Sequence, residues 1–156
     1  MKESARFPVV FWRLMSRMNR RMVAKYGRKS NVAKRILILT TLGRKSGQLR
    51  TTPLQFEEID NVYYVASARG VKADWYRNLL ACPQVEVQVG DKRFATHARP
   101  MTDARQIADF LELRLKRHPR FMGLMLRLEG LPGKYGREDL EKFASRLAIV
   151  ELSESN

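Results

Sequence analysis

The chain has 156 residues, 44% of them apolar, which is enough for one compact domain with a real core. This composition excludes a wholly disordered chain, a collagen-like fibre and a low-complexity tract. The net charge is +14, and residues 1–50 carry 14 Lys and Arg side chains against one acid, Glu3. An anionic partner is therefore expected to bind the first third of the chain.

The cysteine and histidine content is low. Cys82 is the only cysteine, and His97 and His118 are the only histidines. The sequence therefore offers neither an internal disulfide nor the side chains of a zinc or iron–sulfur site, and no metal is expected. No segment approaches the ~20 apolar residues of a transmembrane helix, and no apolar run is long enough for a signal peptide. A cytoplasmic protein is expected.

Residues 7–26 have the pattern of an amphipathic helix. Phe11, Met15, Met18 and Met22 recur at helical spacing, and arginines occupy much of the remaining surface. Two interpretations remain open. The helix packs its apolar stripe on the core, or it lies on an anionic membrane surface, which would place the protein at the inner face of the cell membrane.

Beyond residue 30 the pattern changes to that of β-strands. The predicted strands are 36–41, 50–58, 62–66, 85–89, 92–99 and 147–152, with hairpin turns at Asp60-Asn61 and Gly90-Asp91. The predicted helices are 74–81 with Asp74 as N-cap, a long helix capped by Thr102 and ended by His118-Pro119, then 121–128 and 138–145. Five or six antiparallel strands with few helices predict a small barrel with helices packed outside.

Three units follow from these patterns. They are an N-terminal basic helix over residues 1–30, a barrel domain over residues 31–152 and a tail over residues 153–156.

The loop from residue 43 to residue 50 has the composition of an anion-binding segment. Gly43 and Gly47 bracket Arg44, Lys45 and Ser46 between two predicted strands. Glycine lets the backbone turn its N–H groups towards an anion, and the cations add charge-assisted donors. The P-loop and dinucleotide-binding patterns are absent. The loop is therefore either a phosphate site or a basic surface turn.

Several segments together resemble one protein family. Residues 43–54 (GRKSGQLRTTPL) resemble the signature of the deazaflavin-dependent nitroreductase family. Residues 65–70 (VASARG), 75–79 (WYRNL) and 83–90 (PQVEVQVG) resemble it in the same order. The likeness is close over residues 36–103. It implies a split β-barrel of the FMN-binding-like type, mainly β with flanking helices (α+β), that binds the deazaflavin coenzyme F-420.

The resemblance also implies coenzyme contacts at particular positions. The phosphate and the acidic tail would be held by Arg44, Lys45, Ser46, Gly47, Gln48 and Arg50. The polar edge of the ring would lie along Ala66, Ser67, Ala68 and Arg69. The pocket would be walled by Trp75, Tyr76 and Asn78, although Trp75 and Tyr76 fit plain core packing equally well.

The implied activity is that of an oxidoreductase. Hydride would pass from the reduced coenzyme to an electron-poor acceptor such as a quinone, with nitroaromatics as side substrates, while the protein orients the reactants. The candidate proton donors are Tyr63, Tyr64, Tyr76 and Tyr135, and strand alternation points only one of Tyr63 and Tyr64 inward. A quinone is lipid-soluble, so a protein docked on the membrane through residues 7–26 would meet it there.

Other functions remain open from the sequence. The same barrel could bind FMN, or it could be a non-catalytic haem or lipid carrier, with His97 as the better candidate haem ligand. Nucleic acid is disfavoured because the basic residues form no recognisable reading motif. A homodimer is left open, and so is the role of residues 119–137, a Phe- and Met-rich insert relative to the family that could form a lid.

Overall fold

The computed structural model describes residues 36–67 and 69–154, so the predicted helix over residues 7–26 and Ala68 lie outside the described residues. The strands in these ranges are β1 (Ile36–Leu42), β2 (Leu49–Ile59), β3 (Val62–Ser67), β4 (Gln84–Val89), β5 (Lys92–His97), β6 (Arg99–Pro100) and β7 (Ala148–Ser153). The helices are α1 (Asp74–Ala81), α2 (Ala104–Arg117), α3 (Pro119–Leu128) and α4 (Arg137–Ala144), with a 3-10 turn at Gly70–Lys72 before α1.

The strand predictions are confirmed to within two residues at each end, apart from the strand predicted over residues 92–99. That strand is broken at Ala98, whose N–H donates to the carbonyl oxygen of Pro83 at 2.8 Å. The chain then leaves β4, and Arg99 pairs with Glu151 of β7. Two shorter strands, β5 paired with β4 and β6 paired with β7, therefore replace the single predicted strand.

Both predicted helix caps are wrong. Helix α2 is capped by Asp103 instead of Thr102, because the Asp103 carboxylate accepts the N–H of Arg105 at 2.9 Å. Helix α1 has Ala73 as its N-cap and no side-chain cap, and Asp74 is its first residue. The Asp74 carboxylate instead binds Arg44, which lies in the loop between β1 and β2 (residues 43–48), here called the basic loop.

All seven strands form one antiparallel sheet with the order β5-β4-β1-β2-β3-β7-β6. The sheet curls until its β5 edge reaches the end of β7. There the hydroxyl of Thr96 donates to the carbonyl oxygen of Ser153, and Lys92 pairs with Glu154 at 2.7 Å. The predicted barrel with outer helices is therefore confirmed.

The two faces of the sheet carry two separate cores. The inner face packs Leu39, Val65, Val87 and Val150, with Leu79 of α1 closing one end. The outer face of β3 and β7 is covered by α2, α3 and α4. This second cluster includes the sheet residue Ile149 and the helix residues Ile107, Phe110, Met122, Leu126, Leu140 and Phe143.

Charged contacts fix the outer helices to each other and to the sheet. The Glu57 side chain of β2, only 5% exposed, binds Arg117 of α2 at 3.0 Å and lies 3.6 Å from His118 and 3.8 Å from Arg114. Arg137 at the start of α4 pairs with Asp109 and Glu112 of α2 and with Glu141 of α4, at 2.7–2.9 Å. The second cluster is therefore held at the C-terminal end of α2 and at its middle.

The outer face of β4 carries a buried acid. Glu86 lies opposite Thr40 of β1, is 5% exposed, and is 3.3 Å from the Arg93 guanidinium. Burial raises the pKa of Glu86 from 4.5 to about 7, although the charge of Arg93 works in the opposite direction.

This shift predicts a pH-dependent stability. Between pH 4.5 and about 7 the folded protein holds a proton that the unfolded chain releases, so the free energy of unfolding falls as the pH rises. Glu86→Gln should remove about 1–3 kcal/mol of this dependence. Denaturant unfolding at pH 5 and pH 8 measures it, with the exposed Glu58→Gln as control. Equal pH dependence in both variants would contradict the assignment to Glu86.

Candidate functional site

The loop between β1 and β2 needs glycine at two positions. A Cβ at residue 43 would lie 2.8 Å from the carbonyl oxygen of Gln48, and Gly47 has φ +65°. The Gly43 N–H donates to Gln48 O at 2.7 Å, and the Gly47 N–H donates to Gly43 O at 2.8 Å. The loop is therefore a closed turn of defined shape.

The closed loop has few backbone N–H groups left to bind an anion. Besides the two glycine N–H groups, the N–H of Gln48 donates to the Ser46 hydroxyl at 3.3 Å, and the N–H of Arg44 donates to Asn78 Oδ1 at 3.2 Å. Four backbone donors that the sequence assigned to an anion nest are thus used within the protein. An anion at this loop would be bound chiefly by side chains.

Asn78 of α1 attaches the loop to the barrel. Its amide oxygen, in a side chain 4% exposed, also accepts from Arg44 Nη1 at 2.9 Å, and its Nδ2 lies 3.4 Å from the Thr41 hydroxyl of β1. Arg44 Nη2 donates to Asp74 at 3.0 Å. Arg44 is therefore held between the loop and α1 and does not swing freely.

The Arg44 contact also sets the charge of Asp74. The hydrogen bond from Arg44 and the positive charge of that guanidinium lower the pKa of the Asp74 carboxyl, which is exposed. Asp74 is therefore ionised at neutral pH and places a negative charge beside the basic loop.

A first cavity of about 500 Å³ opens at this loop. It is lined by Gly43, Arg44, Lys45, Ser46, Arg50, Thr51, Thr52, Asp74, Trp75 and Asn78. Within the described ranges neither Lys45 nor Arg50 has an ion-pair partner, so both cations face the cavity mouth uncompensated. Trp75 lines this cavity and is also part of the inner core, where it is 8% exposed.

A second cavity of about 140 Å³ lies on the outer face, between the sheet and the helices α2 and α3. Its walls are Gln55, Ala66, Ser67, Phe110, Leu111, Arg114, Phe121, Met122, Met125, Leu126, Glu129, Leu147 and Ile149. Most of these side chains are apolar, and Arg114 and Glu129 are the charged ones. Partial desolvation raises the pKa of Glu129, and the charge of Arg114 opposes that shift.

The predicted site residues are therefore divided between two cavities. Six of those assigned to the coenzyme surround the first cavity: Arg44, Lys45, Ser46, Arg50, Trp75 and Asn78. Ala66 and Ser67 line the second cavity instead. Gly47, Gln48 and Arg69 line neither cavity, although Gln48 closes the loop and Arg69 donates its N–H to Ser67 Oγ at 3.2 Å.

None of the candidate proton-donor tyrosines lines either cavity. Tyr63 packs inside the barrel between Phe56 and Phe94, whereas Tyr64 packs outside on Phe110, so the predicted alternation is confirmed. Burial raises the pKa of Tyr64 and of Tyr76, which keeps both phenols protonated. Tyr135 is 42% exposed in the loop before α4.

The charged residues of the second cavity could not be found from the sequence. Arg114 and Glu129 lie 15 positions apart on either side of the His118-Pro119 break, and no local spacing connects them. The Phe- and Met-rich stretch at residues 121–125 was the available signal, since an apolar helix beside a predicted site is a candidate wall. Asp74 was not predicted as a residue of the first cavity, because its position at the start of a predicted helix indicated an N-cap.

A match to a known family model shows which family this chain belongs to. A family model described as F420H(2)-dependent quinone reductase matches residues 11–123 of this chain. The chain belongs to this family. The match ends at Gly123 inside α3, so the quinone reductase family model does not extend over the rest of α3, α4 or β7.

Curated relatives agree with this family. An F420H(2)-dependent quinone reductase of Mycobacterium tuberculosis is 40% identical over 68 residues, which is 42% of this chain and 46% of that protein. A protein of Mycobacterium bovis with the same family name matches equally well. The chain therefore spans about half the length of the curated quinone reductases it matches.

Solved structures confirm the split β-barrel fold. A conserved hypothetical protein from Mycobacterium tuberculosis superposes with a TM-score of 0.52 at 16% identity, covering 87% of this chain and 80% of that one. A Listeria innocua protein whose name places it with the pyridoxamine 5′-phosphate oxidases gives 0.52 at 12% identity, covering 89% and 94%.

Two further properties concern the described residues. Every helix in those ranges is too short or too polar to traverse a lipid bilayer. No group of three or more His, Cys, Asp and Glu side chains comes together there in a way that could hold a metal ion.

The Asn78 contacts yield a prediction on loop stability. Asn78→Ala leaves the Arg44 backbone N–H and guanidinium without their buried acceptor, so it should lower the free energy of unfolding by about 1–3 kcal/mol. The exposed Gln106→Ala on α2 is the control. Chemical denaturation measures the difference. If the two variants are equally stable, the amide does not hold the loop.

Proposed function

We propose that this protein is an oxidoreductase that binds the deazaflavin coenzyme F-420 and passes its hydride to a quinone-like acceptor. Membership of the quinone reductase family supports this function. The observation in the structure that carries it is the first cavity, in which Arg44, Lys45 and Arg50 converge on one side of β1, β2 and α1.

The charges of the first cavity suit a polyanion. Three cations line it against one acid, Asp74, and two of the cations, Lys45 and Arg50, have no ion-pair partner in the described part of the chain. A single phosphate such as that of FMN would use one or two of them. A phosphate followed by an acidic glutamate tail would use all three, which favours F-420 over FMN.

The second cavity has the dimensions and chemistry of an acceptor site. Its volume of about 140 Å³ is close to that of the ~150 Å³ apolar cavity that accepts one benzene molecule. Apolar side chains would bind the ring of the acceptor, and the Arg114 guanidinium could donate a hydrogen bond to a carbonyl oxygen. Ala66 and Ser67, the positions expected near the coenzyme ring, form the sheet side of this cavity.

Reduction of a quinone to a hydroquinone consumes one hydride and one proton. A reduced deazaflavin held at Arg44, Lys45 and Arg50 would supply the hydride. Glu129 is the carboxyl group of the second cavity, and its raised pKa lets it keep a proton at a higher pH than a fully solvated glutamate does. We assign it as the proton donor ahead of the four tyrosines, which line neither cavity.

Several finer assignments remain proposals. Membrane contact through residues 7–26 remains a prediction, because that segment lies outside the described residues. We also propose nitroaromatic side substrates, a homodimer and a coenzyme-binding unit that extends over residues 31–152. We propose a cytoplasmic site of action, at the inner face of the membrane.

The first experiment is an anaerobic binding titration. The protein is titrated with F-420 and, separately, with FMN, and the fluorescence of each cofactor is followed. Tight binding of F-420 with weak binding of FMN is expected. Binding of FMN alone would keep the barrel and move the chemistry to flavin, and binding of neither would remove the coenzyme from the basic loop.

Variants of the first cavity test the charge argument. Lys45→Ala and Arg50→Ala should each weaken F-420 binding about tenfold or more, because each removes one uncompensated cation. Asp74→Asn should tighten it, because it removes the negative charge beside the loop. The exposed Lys142→Ala on α4 is the control. Weaker binding by Asp74→Asn would contradict the polyanion assignment.

Glu129 predicts the pH dependence of turnover. With saturating coenzyme, kcat for a small quinone should fall as the pH rises through the raised pKa of Glu129, since the proton is then lost. Glu129→Gln should lower kcat below that pH and abolish the pH dependence, with F-420 affinity unchanged. Glu138→Gln, which lines neither cavity, is the control. A pH profile unchanged by Glu129→Gln would exclude this carboxyl.

A further inference from the structure

Helix α3 leaves apolar side chains on the protein surface. Phe121, Leu124, Met125 and Leu128 are 49%, 59%, 37% and 75% exposed. Their spacing of i, i+3, i+4 and i+7 places them on one stripe of the helix. We name these four residues the α3 stripe. Its helix is already anchored on the opposite side, where Met122 and Leu126 are buried in the outer core.

The surroundings of the α3 stripe are strongly basic. Residues 114–134 contain six Lys and Arg side chains and one acid, Glu129, and two of the six, Arg114 and Arg117, lie against Glu57 of β2. Arg120 and Arg127 lie on α3 itself and are exposed. At 100° per residue both fall beside Leu124, at one border of the stripe. An apolar stripe with cations along its border is the pattern of a helix that lies in the interface of an anionic bilayer.

The α3 stripe is continuous with the second cavity. Phe121 and Met125 belong to both, since they are partly exposed and also line the cavity wall. Met122 and Leu126 continue the same apolar surface inwards. An apolar molecule could therefore pass from the surface at the stripe to the cavity without crossing a polar barrier.

We propose that the α3 stripe docks this protein on an anionic lipid bilayer and opens the second cavity towards the membrane. The apolar side chains enter the acyl boundary, and the arginines bind lipid phosphates. The part of this proposal that concerns acceptor entry rests on the proposed quinone function, but the docking itself does not. It uses a different surface from residues 7–26, for which membrane docking is also predicted.

The charges favour lipid over a second copy of this chain. Two α3 stripes facing each other would bring the exposed Arg120 and Arg127 of one copy towards those of the other, and like charges in apposition oppose association. An anionic bilayer compensates the same charges. The stripe residues Leu124, Met125 and Leu128 lie beyond the family match, which ends at residue 123.

A site-specific label locates the docking surface. The full chain with Cys82→Ala carries a polarity-sensitive NBD fluorophore on Leu124→Cys, or on Leu80→Cys as the matched control. Leu80 of α1 is exposed to a similar extent, 56%, but belongs to another surface. Vesicles of phosphatidylglycerol with phosphatidylcholine are compared with vesicles of phosphatidylcholine alone.

The label at residue 124 should shift to the blue and become sensitive to lipid-borne quenchers with the anionic vesicles, and the label at residue 80 should not change. Protein that sediments with the vesicles while label 124 is unaffected docks elsewhere, and this would overturn the proposal. If the protein does not bind the vesicles, the proposal is also overturned. A shift at residue 124 that depends on protein concentration without lipid would identify a second copy as the occupant.

A double variant completes the test. Leu124→Gln with Leu128→Gln should lower the vesicle partition coefficient about tenfold, since both side chains lose their burial in lipid. Leu80→Gln should leave it unchanged. F-420 affinity, measured on the same proteins, should not change in either. If neither the unmodified chain nor any variant binds F-420, the proposed function is refuted, but the result on membrane docking is unaffected.

Discussion

The antiparallel pairing of β1 with β2 is the interaction on which the rest of the described structure depends. The pair runs from Ile36 opposite Gln55 to Leu42 opposite Leu49, and the basic loop closes it. The remaining strands extend the sheet from these two, with β4 on β1 and β3 on β2. A shift of one residue in this register would turn every side chain of a strand to the other face. It would exchange the barrel interior for the surface under the outer helices.

The two cavities differ in how they are held. The first is formed by a short loop that a buried amide, Asn78, attaches to α1, so its cations are placed by a few directional hydrogen bonds. The second exists because α2 and α3 are held above the sheet by apolar packing and by Glu57, a buried carboxylate surrounded by cationic groups. Strand β2 contributes to both, through Thr52 at one cavity and Gln55 at the other.

Local sequence patterns predict most of the fold and the loop that lines the first cavity. Alternating apolar residues located the strands, because each strand has one face in a core, and the glycines and cations at residues 43–50 located the first cavity. The second cavity could not be predicted in this way, since Arg114, Glu129 and Ile149 meet only after the chain has folded. The prediction of Asp74 as an N-cap is wrong for a related reason. Asp74 has the residue type of an N-cap, but a distant arginine competes for its carboxylate.

The long-range pairing of β3 with β7 imposes an order on folding. Val62 pairs with Ser153, whereas the residues lining the first cavity all lie between positions 43 and 78. Closing so long a loop costs more chain entropy than forming neighbouring hairpins, so β7 joins the sheet late. During synthesis every residue that lines the first cavity is made before residue 79. The second cavity needs Leu147 and Ile149 and exists only in the finished molecule.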